Sequence, residues 1–291
     1  MSKQRVWIPG GGGMLGQALV AGSGAVDVVV TSRAEVDVTQ QATVQAFVAR
    51  ERPRLILNCT AYTAVDKAES EPALAEAGNA DAPAFLGAAA QAVGARIVHV
   101  STDYVFDGKG TRPLKEDDAT GPVSVYGKSK LRGEERFLDA TDGKGLVVRT
   151  SWLYGPGSKN FVLTMLKLMA EREQLKVVAD QRGRPTSTQT LAQRLWALAA
   201  LDASGIVHVA DDAGPRGISW HDFAVAIHAG AKQRGLPLKC TSVEAIPTSA
   251  YPTPAARPAW SVFDCARCEQ LTGPLPSFAS TLDAFLDLQK S

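Results

Sequence analysis

The sequence predicts an α/β fold: a doubly wound parallel sheet in the first half, and a smaller C-terminal lobe. Short apolar runs alternate with helical patterns in the first half, which is typical of parallel βαβ units with helices on both faces. The runs at 55–57 and 97–100 lack strict alternation of apolar and polar residues, as expected of strands buried on both faces. After Gly155 the pattern loosens, so we expect the lobe to begin there.

The elements of the first half follow one another closely. We expect strands at 6–8, 26–31, 55–59, 97–100 and 146–149. We expect helices between them at 14–21, 44–50, 83–93 and 129–138. This order of strand and helix predicts right-handed crossovers within one sheet.

The second half mixes both kinds of element. We expect helices at 161–172, 191–201, 220–232 and 282–288, and strands at 176–178 and 206–209. The proline-rich stretch 247–258 predicts an extended loop. We therefore assign residues 1–155 to the main domain, with elements near 176–215 returning to it. Residues 156–175 and 216–291 are assigned to the smaller lobe.

Composition argues against several function classes. The 291 residues carry a net charge of +1, so no overall field attracts nucleic acid or an anionic membrane. No apolar run is long enough to cross a bilayer, and the first residues show no signal-peptide pattern. We expect a cytoplasmic protein without a nucleic-acid or membrane partner.

The four cysteines include one C-x-x-C pair, Cys265 and Cys268. No second pair or histidine cluster stands nearby to complete a zinc site. We interpret the pair as two positions on one helical turn, with a redox or metal pair as the alternative. No metal ligand is assigned.

Three glycines follow the first strand at a spacing typical of phosphate loops. Gly10, Gly13 and Gly16 form G-x-x-G-x-x-G at the start of the first helix. Such glycines permit a tight turn, close approach to a pyrophosphate, and packing of helix on strand. Amides at the helix N-terminus then face the phosphates. The pattern predicts a Rossmann-type dinucleotide site, with a merely flexible turn as the alternative.

A tyrosine and a lysine stand four residues apart in Y-G-K-S-K, as Tyr126 and Lys130. On a helix this spacing places both side chains on one face. A phenol with a pKa near 10 exchanges protons poorly at neutral pH, and a nearby ammonium should lower that pKa. The pair is therefore a candidate general acid for reducing a carbonyl group.

A hydroxyl group lies where such a pair needs it. Thr102 directly follows the fourth strand, and ligands of open α/β sheets bind at the carboxyl ends of strands. Its hydroxyl can hydrogen-bond the substrate carbonyl oxygen. The alternative is a capping residue in a turn. The set of Thr102, Tyr126 and Lys130 is our predicted catalytic constellation.

These motifs resemble the extended short-chain dehydrogenase/reductase superfamily, and longer strings are similar to its dTDP-4-dehydrorhamnose reductase family. The strings are N-C-T-A-Y-T-A-V-D-K-A-E at 58–69, S-T-D-Y-V-F-D-G at 101–108, R-T-S-W-L-Y-G at 149–155 and G-R-P-T at 183–186. The resemblance runs along almost the whole chain. It implies reduction of dTDP-4-dehydro-L-rhamnose to dTDP-L-rhamnose with a nicotinamide cofactor.

The resemblance also implies roles for individual residues. The pyrophosphate of the cofactor would contact Gly10, Gly11, Gly12, Gly13, Met14 and Leu15. The adenine would contact Asp37 and Val38. Ala61, Tyr62 and Thr63 would cover the cofactor. Tyr126 and Lys130 would also hold the nicotinamide ribose. The substrate falls to Thr102, Asp103, Tyr104, Trp152 and Arg184. Core packing is the alternative for Trp152, and a solvated helix start for Asp66, Lys67 and Glu69.

The end of the second strand bears on the choice of cofactor. It carries Ser32 and Arg33, where NAD-specific domains usually place an acidic residue for the ribose 2′-hydroxyl. Arg33 could instead pair with a 2′-phosphate, so we expect NADPH to be used at least as well as NADH. The alternative is that Glu35 or Asp37 reaches the ribose.

The sequence departs from the family at one motif, because Trp260 replaces the asparagine of R-P-x-N-S. The glutamates by which some relatives bind Mg²⁺ at a dimer interface cannot be mapped here, so Mg²⁺ and a homodimer are left open. Two other functions compete: a nucleotide-sugar dehydratase or epimerase, and a non-catalytic nucleotide-binding regulatory subunit. Tyr104 follows Asp103 where dehydratases carry glutamate, which argues against dehydration.

Overall fold

The computed structural model describes residues 5–289, and within them a central sheet has six parallel strands in the order β10-β5-β4-β3-β1-β2. The strands are β1 Arg5–Pro9, β2 Asp27–Thr31, β3 Leu55–Asn58, β4 Arg96–Thr102, β5 Leu146–Thr150, β6 Leu153–Tyr154, β7 Gln174–Val178, β8 Arg182–Gly183, β9 Thr186–Ser187, β10 Gly205–His208, β11 Ile218–Ser219 and β12 Ser242–Ile246. The predicted α/β class is confirmed.

Helices connect and cover these strands. They are α1 Met14–Ala21, α2 Gln41–Glu51, α3 Val65–Ala68, α4 Pro72–Glu76, α5 Ala82–Val93, α6 Val125–Ala140, α7 Phe161–Glu171, α8 Thr188–Ala200, α9 Trp220–Gln233, α10 Ala266–Thr272 and α11 Phe278–Asp287. A π-helical segment, Ala77–Asp81, joins α4 to α5, and short 3-10 turns lie at Asp103–Val105 and Thr248–Ala250. None of the helices in residues 5–289 has the length and apolarity needed to span a bilayer.

Both faces of the sheet are buried, as the non-alternating strands predicted. On β1, Val6 and Ile8 pack in the cluster formed with α1 and α8, while Trp7 packs in the cluster formed with α2 and α5. Successive strand residues point to opposite faces. A strand between two helical layers therefore needs apolar residues at every position, and β1 supplies them.

A second core holds the smaller lobe together. Met165 and Met169 of α7, Leu175 of β7 and Phe223 of α9 pack there with Leu282 of α11. In the lobe β7 pairs with β12, whereas β10 pairs with β5 in the main sheet. Of the elements in 176–215, β10 thus joins the main sheet, and α8 packs in the core on one face of that sheet.

Helix α6 begins four residues earlier than the sequence predicted. The Ser124 side chain accepts a hydrogen bond from the Gly127 amide at 3.1 Å, which is the usual N-cap interaction. This cap places Tyr126 in the first turn of the helix, next to the end of β4. The expected one-face arrangement of Tyr126 and Lys130 follows from it.

Candidate active site

The cofactor cleft lies at the switch point of the sheet. At this point β1 lies between β2 and β3, and the chain passes from β1 to β2 on one side before it forms β3 on the other. Open α/β sheets bind ligands at this point. The cleft has a volume of about 410 Å³. Its predicted lining residues are Gly10, Gly12, Gly13, Ser32, Arg33, Asp37, Val38, Ala61 and Tyr62.

The glycine loop has the shape that a pyrophosphate requires. Gly10 has a φ of +79°, and a Cβ there would lie 3.0 Å from the carbonyl carbon of Cys59. A Cβ on Gly16 would overlap the Gly11 backbone. Gly12 has open space around it, and no side chain caps the N-terminus of α1. The loop and the free amides of α1 therefore fit a bound diphosphate.

Some residues assigned to the cofactor lie behind this lining. Leu15 packs in the main core, and Gly11 is buried against Val30. Met14 is oriented toward the lobe, where its Sδ accepts a hydrogen bond from Asn160 at 3.7 Å. Their side chains support the loop. Thr63 is exposed beside the cleft and does not line it.

At the adenine end, the acidic residues already have partners. Both the amide and the hydroxyl of Ser32 donate to Glu35 at 2.7 Å. Asp37 accepts from the Thr39 hydroxyl at 2.7 Å and lies 3.5 Å from the Arg33 guanidinium. These hydrogen bonds lower the pKa of both carboxyl groups. The Arg33 side chain is 78% exposed and free to turn toward a ligand.

An asparagine that the sequence analysis missed holds the cover over the cofactor. Asn79 of the π-helical segment accepts from the Tyr62 amide at 2.8 Å and donates to the Tyr62 carbonyl at 3.1 Å. It also donates to Ser129 of α6 at 3.0 Å. The only signal in the sequence is a polar residue within an alanine-rich stretch. π-Helical turns often mark functional sites.

The predicted catalytic residues lie together at the carboxyl end of β4. Thr102 is the last residue of that strand, and Tyr126 and Lys130 are buried on α6. The Tyr104 ring meets the Tyr126 ring edge-on at 5.4 Å. The Thr102 hydroxyl donates to Asp103 at 3.1 Å. The hydroxyl that should bind a carbonyl oxygen is therefore turned toward Asp103.

A residue of the smaller lobe holds Asp103 in place. Ser261 donates to its carboxylate at 2.6 Å. Burial raises the pKa of Asp103 to about 6, although the hydrogen bonds from Ser261 and Thr102 act in the opposite direction. Ser261 belongs to the R-P-A-W-S motif, and sequence analysis did not assign it to the site.

The expected lowering of the Tyr126 pKa is wrong for the chain by itself. Burial raises the pKa of Tyr126 to about 12, and a hydrogen-bond interaction with Thr102 only partly opposes this. Burial also lowers the pKa of Lys130 to about 8. The Lys130 ammonium donates to the Val100 carbonyl at 2.8 Å. Tyr126 is therefore a protonated phenol at neutral pH, as a general acid must be.

The substrate-side residues divide into two groups. Trp152 has a φ of +48°, and its ring stacks on Trp220 with 3.6 Å between centroids. A tryptophan in this strained conformation is held by its surroundings. Arg184 points into the lobe, where it donates to Asp212 at 2.8 Å and to the Gly214 carbonyl. Trp152 packs against the core of the lobe, as its core-packing alternative expected, and the substrate roles of Trp152 and Arg184 stay predictions.

The R-P-A-W-S motif closes the site from the other side. Arg257 forms a two-pronged ion pair with Asp66, at 2.9 and 2.8 Å. Asp66 lies in the first turn of α3 with a partly exposed side chain, as the solvated-helix-start alternative expected, and it is in addition tied to the lobe. Trp260 donates to the Arg112 carbonyl at 2.8 Å. The substituted tryptophan is therefore anchored to the loop that follows β4.

Cysteines and acidic residues form no metal site in the described part of the chain. Cys265 and Cys268 lie at the start of α10, and all four cysteines are free. Among residues 5–289, no group of three or more histidine, cysteine, aspartate or glutamate side chains could hold a metal ion.

Comparison with known proteins gives a consistent picture. The family described as RmlD substrate binding domain matches residues 4–290. The dTDP-4-dehydrorhamnose reductase of Streptomyces griseus is 41% identical over 271 residues, 91% of this chain and 87% of that protein. The Salmonella typhimurium enzyme of the same name is 46% identical over 212 residues, 71% of this chain and 70% of that protein.

Solved structures agree with these matches. A dTDP-4-dehydrorhamnose reductase from Clostridium acetobutylicum has a TM-score of 0.92 at 37% identity, covering 99% of this chain and 100% of its own. The Bacillus anthracis protein of that name, solved in complex with NADP, has a TM-score of 0.91 at 36% identity, covering 98% and 99%. A UDP-glucose 4-epimerase from Thermus thermophilus shares the fold, with a TM-score of 0.80 at 19% identity, covering 97% and 98%.

Proposed function

Because this chain belongs to the dTDP-4-dehydrorhamnose reductase family, we propose that it reduces the 4-keto group of dTDP-4-dehydro-L-rhamnose to give dTDP-L-rhamnose. The observation that carries the proposal is the placement of a buried, protonated Tyr126 beside Thr102, the last residue of β4. The proposed partner is a dTDP-sugar, and the cytoplasmic location stays a prediction from the sequence.

The residues of this chain would divide the work as follows. A bound nicotinamide cofactor supplies the hydride that reaches C4 of the sugar. Tyr126 donates its phenolic proton to the oxygen that becomes an alkoxide. Lys130, whose pKa of about 8 leaves it mostly charged at neutral pH, stabilises the phenolate that Tyr126 becomes. Thr102 turns from Asp103 to hold the same sugar oxygen.

The proposed cofactor is NADPH, with NADH as a second candidate. Ser32 and Arg33 line the adenine end of the cleft, and Arg33 is exposed enough to exchange Asp37 for a 2′-phosphate. The Bacillus anthracis relative was solved with NADP, which supports this choice. Mg²⁺ has no part in the proposal.

The competing functions have less support. A dehydratase needs an acid and a base at the sugar, and here Tyr104 follows Asp103, with its half-buried ring edge-on to Tyr126. A non-catalytic regulatory role would not require Thr102, Tyr126 and Lys130 to be buried together. Reduction needs one hydride and one proton, which the cofactor and Tyr126 supply.

The test is an assay of the purified protein with dTDP-4-dehydro-L-rhamnose and NADPH. Loss of the reduced-cofactor absorbance and a product with the mass of dTDP-L-rhamnose are expected. Tyr126→Phe should lower kcat by roughly 10²–10⁴-fold, the usual contribution of general acid catalysis. Tyr154→Phe is the matched control, because the Tyr154 hydroxyl bonds Thr281 within the lobe at 2.8 Å.

Two results would contradict the proposal. Near wild-type turnover by Tyr126→Phe would show that another group donates the proton. Formation of a 4-keto-6-deoxy sugar from dTDP-glucose would indicate a dehydratase.

A further inference from the structure

A chain of buried polar groups leads from the active site into the sheet. Lys130 of α6 lies 3.4 Å from Nε2 of His99 on β4. Nδ1 of the same ring lies 2.9 Å from Nδ2 of Asn58 on β3. All three side chains are at most 1% exposed. Nothing in the proposed reaction uses His99 or Asn58, so their placement behind Lys130 calls for an explanation.

The orientation of Asn58 is fixed by the backbone. Its Oδ1 accepts from the Thr60 amide at 3.0 Å and from the Thr60 hydroxyl at 2.6 Å. A backbone N–H can only donate, so the amide oxygen of Asn58 must face Thr60. Its NH₂ group therefore faces His99 and donates to Nδ1.

The protonation of His99 follows from this. Burial, together with the charge of Lys130, keeps the pKa of His99 well below its usual range, so the ring is neutral. A neutral imidazole has one donor and one acceptor nitrogen. Because Nδ1 accepts from Asn58, the proton is on Nε2, and this N–H is directed at Lys130. An ammonium group has only donors, whereas a neutral amine has a lone pair to accept.

We propose that His99 is a positioning residue for Lys130: Asn58 holds its ring in the Nε2–H tautomer, and that N–H favours the neutral amine. The inference rests on the proposed role of Lys130. After Tyr126 has given its proton to the sugar, an N–H bond of Lys130 breaks and the phenolic O–H bond is restored. The amine left behind accepts from His99 and later regains a proton from solvent.

Burial lowers the pKa of Lys130, and among the charged groups around it in residues 5–289 none is free to set its protonation state as the His99 N–H does. On its own helix, Glu134 favours the ammonium, but it is paired with Arg149 of β5 at 2.7 Å. Asp103 acts on Tyr126. The acids of the segment 76–81, which packs on α6, are bound by arginines: the ion pairs are Glu76 with Arg132, Glu76 with Arg136, and Asp81 with Arg136.

Nuclear magnetic resonance of the ring nitrogens tests the tautomer without any substrate. The protein has four histidines, so the His99 signals can be assigned in ¹⁵N-histidine-labelled wild-type protein by replacing His208, His221 and His228 in turn. We expect a neutral ring with the proton on Nε2 throughout the neutral range. A proton on Nδ1, or a charged ring, overturns the proposal. This result stands even if the protein proves not to be a reductase.

The pH dependence of kcat/KM tests the effect on Lys130. Tyr126, with a pKa of about 12, titrates above the usable range. A basic limb near pH 8 would therefore report loss of the Lys130 proton. In His99→Gln the amide can turn its oxygen toward Lys130 and favour the ammonium. The limb should then move upward by about one pH unit, a tenfold change in the proton affinity of Lys130.

His208→Gln is the matched control, because His208 is also a fully buried histidine of the sheet and does not contact Lys130. It should leave the basic limb in place. A purely structural role for His99 predicts lower activity at every pH with an unmoved limb, and that result overturns the proposal. If His99→Gln does not fold, the ring-nitrogen spectrum of the wild-type protein still decides.

Discussion

At the residue scale, a few side chains decide whether the adenine end of the cleft admits a 2′-phosphate. Glu35 and Asp37 would repel it if they faced the ribose. The structure gives both carboxylates hydrogen-bond donors, Ser32 for the first and Thr39 for the second. Arg33 contributes one positive charge at 3.5 Å from Asp37. An exposed pair of this kind is worth little to stability, so exchanging Asp37 for a phosphate costs little.

Arg33→Ala should therefore raise the KM for NADPH much more than the KM for NADH. We expect a difference of roughly 10- to 150-fold, since a hydrogen bond to a charged group contributes about 1.5–3 kcal/mol. Steady-state kinetics with both cofactors measure it. Arg50→Ala is the control, because Arg50 is similarly exposed on α2 and pairs with Glu51. An equal effect on both cofactors, or a wild-type preference for NADH, would show that Arg33 does not recognise the phosphate.

The residues that could be predicted from the sequence are those whose side-chain type and neighbouring motif indicate their chemistry. Tyr126, Lys130 and Thr102 have the right types and lie next to recognisable elements. Asn79 and His99 could not be found in this way, because their partners are distant in the sequence and are brought close only by folding. The raised pKa of Tyr126 was missed for a related reason: burial dominates it, and burial depends on the packed structure.

At the element scale, the packing of α6 on the π-helical segment positions the catalytic pair. Gly133 of α6 has no room for a side chain, because a Cβ there would overlap the Asn79 carbonyl oxygen. The close approach lets Asn79 reach Ser129. The sequence predicted a helix at 129–138, within α6, and one at 83–93, after the π-helical segment, but it predicted no element at 77–81. A π-helical turn depends on a single extra residue per turn and leaves little trace in apolar spacing.

Gly133→Ala should therefore push α6 away from this segment. Overpacking of this kind typically costs about 1–3 kcal/mol, which lowers the Tm by about 2–4 °C per kcal/mol in a chain of this size. Turnover should fall as well, because Tyr126 and Lys130 move with the helix. Thermal unfolding and the reductase assay measure both effects. Glu135→Ala, on the exposed face of α6, should change neither, and an unchanged Tm in Gly133→Ala would refute the packing argument.

At the scale of the whole molecule, the fold buries several titratable groups, and burial shifts the pKa of each toward its uncharged form. His208 is fully buried, and its ring stacks on that of Phe263 with 4.1 Å between the ring centroids. Asp103 and Asp211 are buried as well, and burial raises the pKa of each to about 6. The alternation of strands and helices and the burial of both sheet faces followed from sequence patterns. The protonation states did not, because they depend on which polar groups the core encloses.

These groups make the stability of the fold depend on pH, and the contribution of His208 can be isolated. Burial, with Arg149 nearby, lowers the pKa of His208 from 6.5 to about 3. Between these values the unfolded chain binds a proton that the folded chain does not. The stabilising contribution is therefore present above pH 6.5 and is lost as the pH falls toward 3. At a pH of about 5 the loss amounts to about 2 kcal/mol, at 1.36 kcal/mol per unit. His208→Gln cannot show this loss, although it loses the hydrogen bond to Leu114 at every pH.

Urea denaturation of both proteins at pH values of about 7.5 and 5 gives four free energies of unfolding. Asp103 and Asp211 act in the opposite direction between about pH 4 and 6, but they do so in both proteins and cancel in the comparison. We expect the wild-type advantage over His208→Gln to shrink by about 2 kcal/mol on acidification. An advantage of the same size at both pH values would mean that His208 binds a proton in the folded protein. We do not expect this of a buried histidine in contact with Phe106, Phe263 and the Arg149 guanidinium.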